Sequence, residues 1–569
     1  MVETERGFSV SYQNRLLYSK YAPDKAVLGA IGSMDILPCS LIVACSPVLW
    51  LGLKELLLKA GDSCFVLGVE FDENLHEFAR TTLEKLRDSD GGLMKNAALL
   101  PFDKNEFIVN ILSGENVRSC PARKDSDDEK SAGGDTFTVP PIYNFRRAIM
   151  LEMSAGTQFH KDEYLKSAML AQNAIASFWK NRVTLTKLGR LFSRNLLRNL
   201  AALPCSADLK NLCRKTASPI FVFGAGESVE ETIQNVPKNL LERCFVIAVD
   251  AAAPVLESYG VRIDAVCAVE GQVAIEKAYI GGAAKNALLI ADMTSRPQVT
   301  RHAKKVACFA SKYADSSFFR SLSGNEWFPP VVPPLGSVGL TAVYVSLMLR
   351  ESASVPVFLS GLDFSFSTGR THARNAPAHT ARLCSLGRLN PVENYAASFR
   401  AGAKQIIGKN GIQVRTDTAL ENYARSFADA FAGVQNLYDA GRQGIPLGVQ
   451  EISSEKLAMY LETVGQKEEQ ALIGAGAEKS QIVRYLEGEE KALNRIKELL
   501  MFGQDVASCG VPPERELHSL ISEREYLFLH FPDGYRCSTG DLSFLKRIRG
   551  QIDFFLKDIK LALRFLSAD

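Results

Sequence analysis

Short runs of consecutive apolar residues alternate, along most of this chain, with longer stretches in which apolar positions recur every three or four residues. In residues 1–165, LIVA (41–44) and CFVLGV (64–69) read as buried strands on either side of a helical stretch, SPVLWLGLKELLLKAG, that ends near Gly61. A strand, a helix and a second strand in succession imply a parallel pair. Residues 166–215 are helical: LTKLGRLFSRNLLRNLAAL sets Leu185, Leu188, Leu191, Phe192, Leu196, Leu197 and Leu200 near one face, with arginines between them expected to form a solvated basic face. From 216 to 449 the alternation becomes regular, with PIFVFGAG, CFVIAVD, AVCAVE, ALLIAD, KVACFA and VPVFLSGLDF as strand-like runs separated by helical stretches. That pattern predicts a doubly wound parallel α/β domain. Residues 450–569 are helical again, Leu545, Ile548, Ile552, Phe555, Ile559, Leu563 and Leu566 keeping helical spacing.

The expected organisation is therefore a smaller N-terminal α/β domain (1–165), a helical linker (166–215), a central α/β domain (216–449) and a C-terminal helical domain (450–569). A chain of 569 residues is too long for one hydrophobic core. The segment PARKDSDDEKSAGGD (121–135), dense in charge, Gly and Ser, reads as a mobile surface loop.

Charge narrows the function classes. With 66 basic and 64 acidic residues, a net charge of +2 offers no global field for nucleic acid or an anionic membrane. The longest apolar run, 41–53, spans about 13 residues, against the ~20 a membrane span needs. The opening MVETERGFSVSYQNRLLYSKY is polar and mixed in charge, unlike a signal peptide, so a cytoplasmic location is expected. None of the 12 cysteines has C-x-x-C spacing; buried free thiols are expected and a zinc site is not. No phosphate-binding P-loop, H-E-x-x-H or G-x-S-x-G motif occurs.

Chemistry is expected at the carboxyl ends of the central strands, where doubly wound sheets bind ligands. Gly224, Gly226 and Ser228 follow the first strand. The glycines let backbone approach a ligand, and Ser228 caps a helix whose N–H groups would face an anion. Asp250 ends the next strand about 24 residues on, where either a ribose- or metal-binding acid or a helix N-cap is expected. Glu270 and Asp292 repeat the arrangement. Gly336 and Ser337 precede a helix and offer N–H and O–H donors to a phosphate oxygen. Gly361 and Asp363 enter the crevice on a sixth strand, and a glycine-containing loop then carries Arg370 and His372. Histidine exchanges protons near neutrality and arginine pairs bidentately with carboxylate or phosphate.

GAGES (224–228), GSVG (336–339), LSGLDFSFSTGRTHA (359–373) and the opening RLLYSKYAP (15–23) resemble the motility-associated factors, a family of flagellin glycosyltransferases with pterin-kinase-like relatives. The resemblance implies a central catalytic domain similar to bacterial sialyltransferases, with a Rossmann-like fold. It implies transfer of a nonulosonic (sialic-acid-like) sugar such as pseudaminic acid from a CMP-activated donor to Ser/Thr hydroxyls of flagellin. Gly224, Gly226, Ser228, Gly336 and Ser337 would hold the CMP, with Asp250, Glu270 and Gly361 lining the substrate site. His372 would take the acceptor proton, Asp363 orient the loop or replace it as base, and Arg370 hold the sugar carboxylate. Glu227 stands where family members often carry proline. No cofactor is required, although Asp250, Glu270 and Asp292 could accommodate Mg²⁺. Flagellin, a nucleotide-sugar and further copies of the chain are the expected partners. Two alternatives remain open: a Mg-dependent pterin diphosphokinase, and a non-catalytic flagellin-binding assembly factor.

Overall fold

The computed structural model describes residues 1–4, 6–102, 139–279, 285–467, 476–502 and 513–567; the loop expected at 121–135 lies outside them. The chain divides into two compact units, Met1–Thr184 and Leu185–Asp569.

The first unit holds a four-stranded parallel sheet. Its strands are β1 (Ser40–Cys45), β2 (Phe65–Val69), β3 (Ala97–Leu99) and β4 (Arg147–Glu152), ordered β3-β2-β1-β4. Every residue of β1 and β2 is buried, which is why both read as unbroken apolar runs. The helix after β1 covers Leu53–Ala60, later than its apolar pattern predicted. Ser46, Trp50 and Gly52 all take positive φ, at 51°, 48° and 75°, so the chain turns before the helix can start.

The second unit is built on nine parallel strands. They are β5 (Ile220–Phe223), β6 (Phe245–Val249), β7 (Ala265–Ala268), β8 (Leu288–Asp292), β9 (Lys305–Ser311), β10 (Val331–Val332), β11 (Val357–Ser360), β12 (Leu437–Asp439) and β13 (Gln450–Glu451). Their order is β10-β9-β8-β7-β6-β5-β11-β12-β13, the doubly wound α/β class that the apolar pattern predicted. From β5 the chain steps outward to β10, then helix Val338–Leu349 carries it back across β5, β6 and β7 to β11. The winding direction reverses between β5 and β11, and a reversal opens a crevice at the strands' carboxyl ends. Edge strand β13 pairs with β12 beyond residue 449, and helices Lys479–Phe502 and Leu542–Ser567 share one continuous core with the sheet.

Helix Lys161–Asn199 carries the division between the units. Within the second unit its Leu196 and Leu197 are buried, as is Leu200 in the turn that follows. The solvated basic face expected here is corrected: Arg190, Arg194 and Arg198 are half-buried, because Phe554 and Asp558 of the C-terminal helix cover them. Among the described residues no helix is long and apolar enough to cross a membrane.

Candidate functional site

The turn after β5 and the turn after β11 touch backbone to backbone. Gly224 donates to the Ser360 carbonyl at 2.7 Å and Gly226 to the Gly361 carbonyl at 2.9 Å. A Cβ on Gly224 would overlap the Gly361 carbonyl, and one on Gly361, whose φ is +74°, would overlap the Gly224 carbonyl. Glycine is needed at both positions for this close approach. The Leu362 side chain lies against both Gly224 and Gly339, so the helix entrance at Gly336 and Ser337 joins the same corner. Phe364 holds a left-handed φ of +46°, a strained conformation for a bulky residue.

The anion expected over Gly226 and Ser228 is the protein's own. Asp363 accepts from the Ser228 N–H at 2.9 Å and, more closely, from the Ser228 hydroxyl. The same hydroxyl oxygen accepts from the Gly361 N–H at 3.0 Å. Ser228 is fully buried and Asp363 is 4% exposed. Burial pushes the Asp363 carboxyl up to about 6, against the bonds from Ser228 and the charge of Lys409, which favour ionisation. Asp363 is thus an internal cap for helix Ser228–Asn235, and the space expected over Gly226 is taken.

Lys409 was not singled out by the sequence. It is 3% exposed and pairs with Asp439, at the end of β12, at 2.5 Å. It also donates to the Gly441 carbonyl at 3.0 Å. Its only sequence signal is a lysine in a Gly-Lys-Asn-Gly turn, which reads equally well as a surface hairpin tip.

The loop carrying His372 folds back over the glycine turn: the Ala373 N–H donates to the Ala225 carbonyl at 2.9 Å. Glu227, 6% exposed, accepts from the Ser367 N–H at 2.7 Å, its hydroxyl at 2.8 Å and Arg370 at 2.7 Å. Glu230 accepts from the Arg374 N–H at 2.6 Å. Arg370, expected to hold a sugar carboxylate, therefore has Glu227 and Glu230 as partners. His372 Nδ1 faces the Thr371 hydroxyl at 3.0 Å. Burial lowers the His372 pKa, outweighing the opposing pull of Glu227, so the ring is neutral at pH 7.

Across the neighbouring strands the acids behave differently from one another. Asp292 is satisfied, accepting from Thr294 N–H at 2.6 Å, its hydroxyl at 2.7 Å and Ser311 N–H at 3.0 Å. Glu270 is exposed and accepts from the Gln272 N–H at 2.8 Å. Asp250 is 3% exposed; its Oδ1 accepts from the Ala251 N–H at 2.7 Å, while its Oδ2 has no partner among the described residues. Burial, with Glu270 adding to it, pushes Asp250 up to about 7. Among the described residues these acids form no group that could hold a metal ion. Asn195 fastens the loops after β7 and β8, donating to the Gly271 carbonyl at 3.1 Å and the Thr294 carbonyl at 3.0 Å.

Ser337 caps the helix Val338–Leu349 by accepting from Gly339 N–H at 3.3 Å, and Gly336 before it has φ +75° and is exposed. First-turn N–H groups of such a helix have no carbonyl within the helix to reach. Gly336, Ser337, Gly224, Gly361 and the His372 loop are thus gathered at the reversal point, with Asp250 and Glu270 on the strands beside it.

Fold and site together define a doubly wound α/β protein whose glycine turns meet at the reversal of its large sheet, the place where folds of this class bind ligands. The family model for 6-hydroxymethylpterin diphosphokinase MptE-like proteins matches residues 194–369, a span that includes both glycine turns and stops short of Arg370 and His372. An uncharacterized protein of Treponema pallidum (strain Nichols) is 27% identical over 582 residues, covering 98% of this chain and 94% of the relative. The Maf glycosyltransferase from Magnetospirillum magneticum AMB-1 aligns with 98% of this chain and 89% of its own, at 13% identity and a TM-score of 0.45. The pterin-kinase-like group whose motifs the sequence resembles thus returns as a family match over the central strands.

Proposed function

We propose that the protein is a glycosyltransferase that moves a nonulosonic sugar from a CMP-activated donor to Ser/Thr hydroxyls of flagellin. The observation that carries the reading is the corner where the Gly336–Ser337 helix entrance and the Gly224 and Gly361 turns meet, with the loop of a neutral His372 folded back over the glycine turn at Ala225. Because Ser228 keeps Asp363 as its partner, the donor phosphate is assigned to the entrance of helix Val338–Leu349. The N–H groups and Ser337 hydroxyl there stabilise charge on the leaving CMP. The acceptor oxygen attacks the anomeric carbon as the bond to the CMP phosphate oxygen breaks; CMP departs with that electron pair and His372 takes the hydroxyl proton. Glu227 and Glu230 hold the loop that presents His372.

Incubating the protein with flagellin and a panel of CMP-activated nonulosonates, read by intact mass, tests this directly. His372→Ala should slow transfer by about 10²–10⁴-fold without loss of CMP binding. The acid limb of kcat/KM should lie below pH 6.5, since burial lowers the His372 pKa. Unshifted flagellin mass with every donor sinks the proposal. A second reading is favoured by the MptE-like match: a Mg-dependent transfer of diphosphate from ATP to a pterin alcohol. Turnover of MgATP with 6-hydroxymethylpterin, absent with CMP-sugars, would select it.

A further inference from the structure

Five arginines line the seam where helix Lys161–Asn199, Arg296 and helix Pro297–His302 meet the C-terminal helix Leu542–Ser567. Arg198 pairs with Asp558 at 2.9 Å and Arg296 with Glu276 at 2.6 Å. Arg190 stacks on the Phe554 ring at 3.6 Å and Arg301 on Phe565 at 4.7 Å. Arg194 donates to the side-chain oxygen of its neighbour Asn195, at 3.2 and 3.4 Å, and forms no carboxylate ion pair among the described residues. Among the described residues two carboxylates thus pair with these five guanidinium groups, an excess of three positive charges.

The cluster is close enough to interact. Burial, and the charges of Arg198, Arg296 and Arg190, hold Arg194 below the usual guanidinium range, with Asp558 opposing. Arg301 is lowered too, by burial and by Arg198. Half-buried like charges without counter-charges are unfavourable unless something balances them. Stacking uses the flat face of a guanidinium and leaves its N–H edge free, the edge that grips oxyanions bidentately. Arg190 Nε is buried without a hydrogen-bond partner, and Arg190 and Arg301 pair with no carboxylate among the described residues.

We infer that Arg190, Arg194, Arg198, Arg296 and Arg301 form a binding site for a multivalent phosphate-type oxyanion, of which a diphosphate is the best match in charge. The inference stands apart from the transferase reading, since no residue of the reversal-point corner takes part. Calorimetry and thermal unfolding with inorganic pyrophosphate, inorganic phosphate and NaCl at equal ionic strength test it. Pyrophosphate should raise Tm more than phosphate, and NaCl should leave it nearly unchanged. Arg194→Gln should weaken pyrophosphate binding about tenfold or more, while its ligand-free Tm stays level or rises because a repulsion is removed. Arg301→Gln, on the exposed rim, should weaken binding with no change in the ligand-free Tm. Stabilisation by pyrophosphate no greater than by NaCl overturns the inference, as does equal stabilisation in both variants. Loss of flagellin modification with intact pyrophosphate binding, or the reverse, separates the two proposals.

Discussion

The two parallel sheets of this chain both reverse direction once, and they finish their carboxyl edges in opposite ways. In the small sheet the reversal lies between β1 and β4, and Glu70, which follows β2 and accepts from Ser46 just after β1, is fully buried. It accepts from the Tyr164 hydroxyl at 2.5 Å, the Ser46 hydroxyl at 2.7 Å, and the N–H groups of Phe71 and Asp72 at 3.0 and 3.1 Å. In the large sheet two glycines bring backbone to backbone, Asp250 keeps an oxygen without a partner among the described residues, and Gly336 lies exposed at a helix entrance. A satisfied acid that knits loops together serves the fold. A buried acid with an unpartnered oxygen is a cost that a ligand can relieve.

The largest expected effect breaks the contrast at its centre. Gly361→Ala forces a Cβ onto the Gly224 carbonyl at positive φ, and should cost about 3 kcal/mol or more and abolish CMP binding. Gly61 has nearly the same φ, +72°, but opens onto empty space, so Gly61→Ala should bring backbone strain alone, about 1–3 kcal/mol, and cost less than Gly361→Ala. Urea midpoints of the two variants measure the difference, and equal losses would mean that close approach contributes nothing.

Next comes Glu70→Ala, which leaves two hydroxyls and two N–H groups without their acceptor. A loss of about 3 kcal/mol is expected, with faster amide exchange confined to the small sheet and CMP affinity unchanged. Loss of CMP binding in this variant would erase the distinction between the two edges.

The smallest effect depends on pH. Asp250 has a folded pKa of about 7, above its ordinary value of 3.8, so its neutral form is the one folding favours. Its stabilising contribution is complete below pH 3.8 and fades as pH rises to about 7. Asp250→Asn, neutral throughout, should therefore gain on the wild type between pH 5 and pH 8, by roughly 1–3 kcal/mol. Parallel thermal curves at the two pH values would show that Asp250 is not held neutral, and CMP should narrow the gap if its ribose meets Oδ2.

Much of this architecture was legible in the apolar pattern. The unbroken runs at β5, β6, β7, β8, β9 and β11 mark strands buried on both faces, a burial that leaves no room for polar alternation. The two- and three-residue strands β3, β10, β12 and β13 escaped notice because so short a run has no period to detect. Arginines between leucines look the same on a solvated helix face and on one covered by Phe554 and Asp558, more than 350 positions away in the chain.

Local residue order was enough to specify the strand–helix alternation, the glycine turns and the acids Asp250, Glu270 and Asp292 closing three adjacent strands, since all are set by neighbours in sequence. Only tertiary structure decided what each of those groups touches. Asp363 became the partner of Ser228 because β5 and β11 are adjacent in the sheet though 133 residues separate Ser228 from Gly361. Glu227 turned toward Arg370, and Asp250 kept a free oxygen, for the same reason: hydrogen-bond partners are chosen by distance in space, which the order of residues along the chain does not encode.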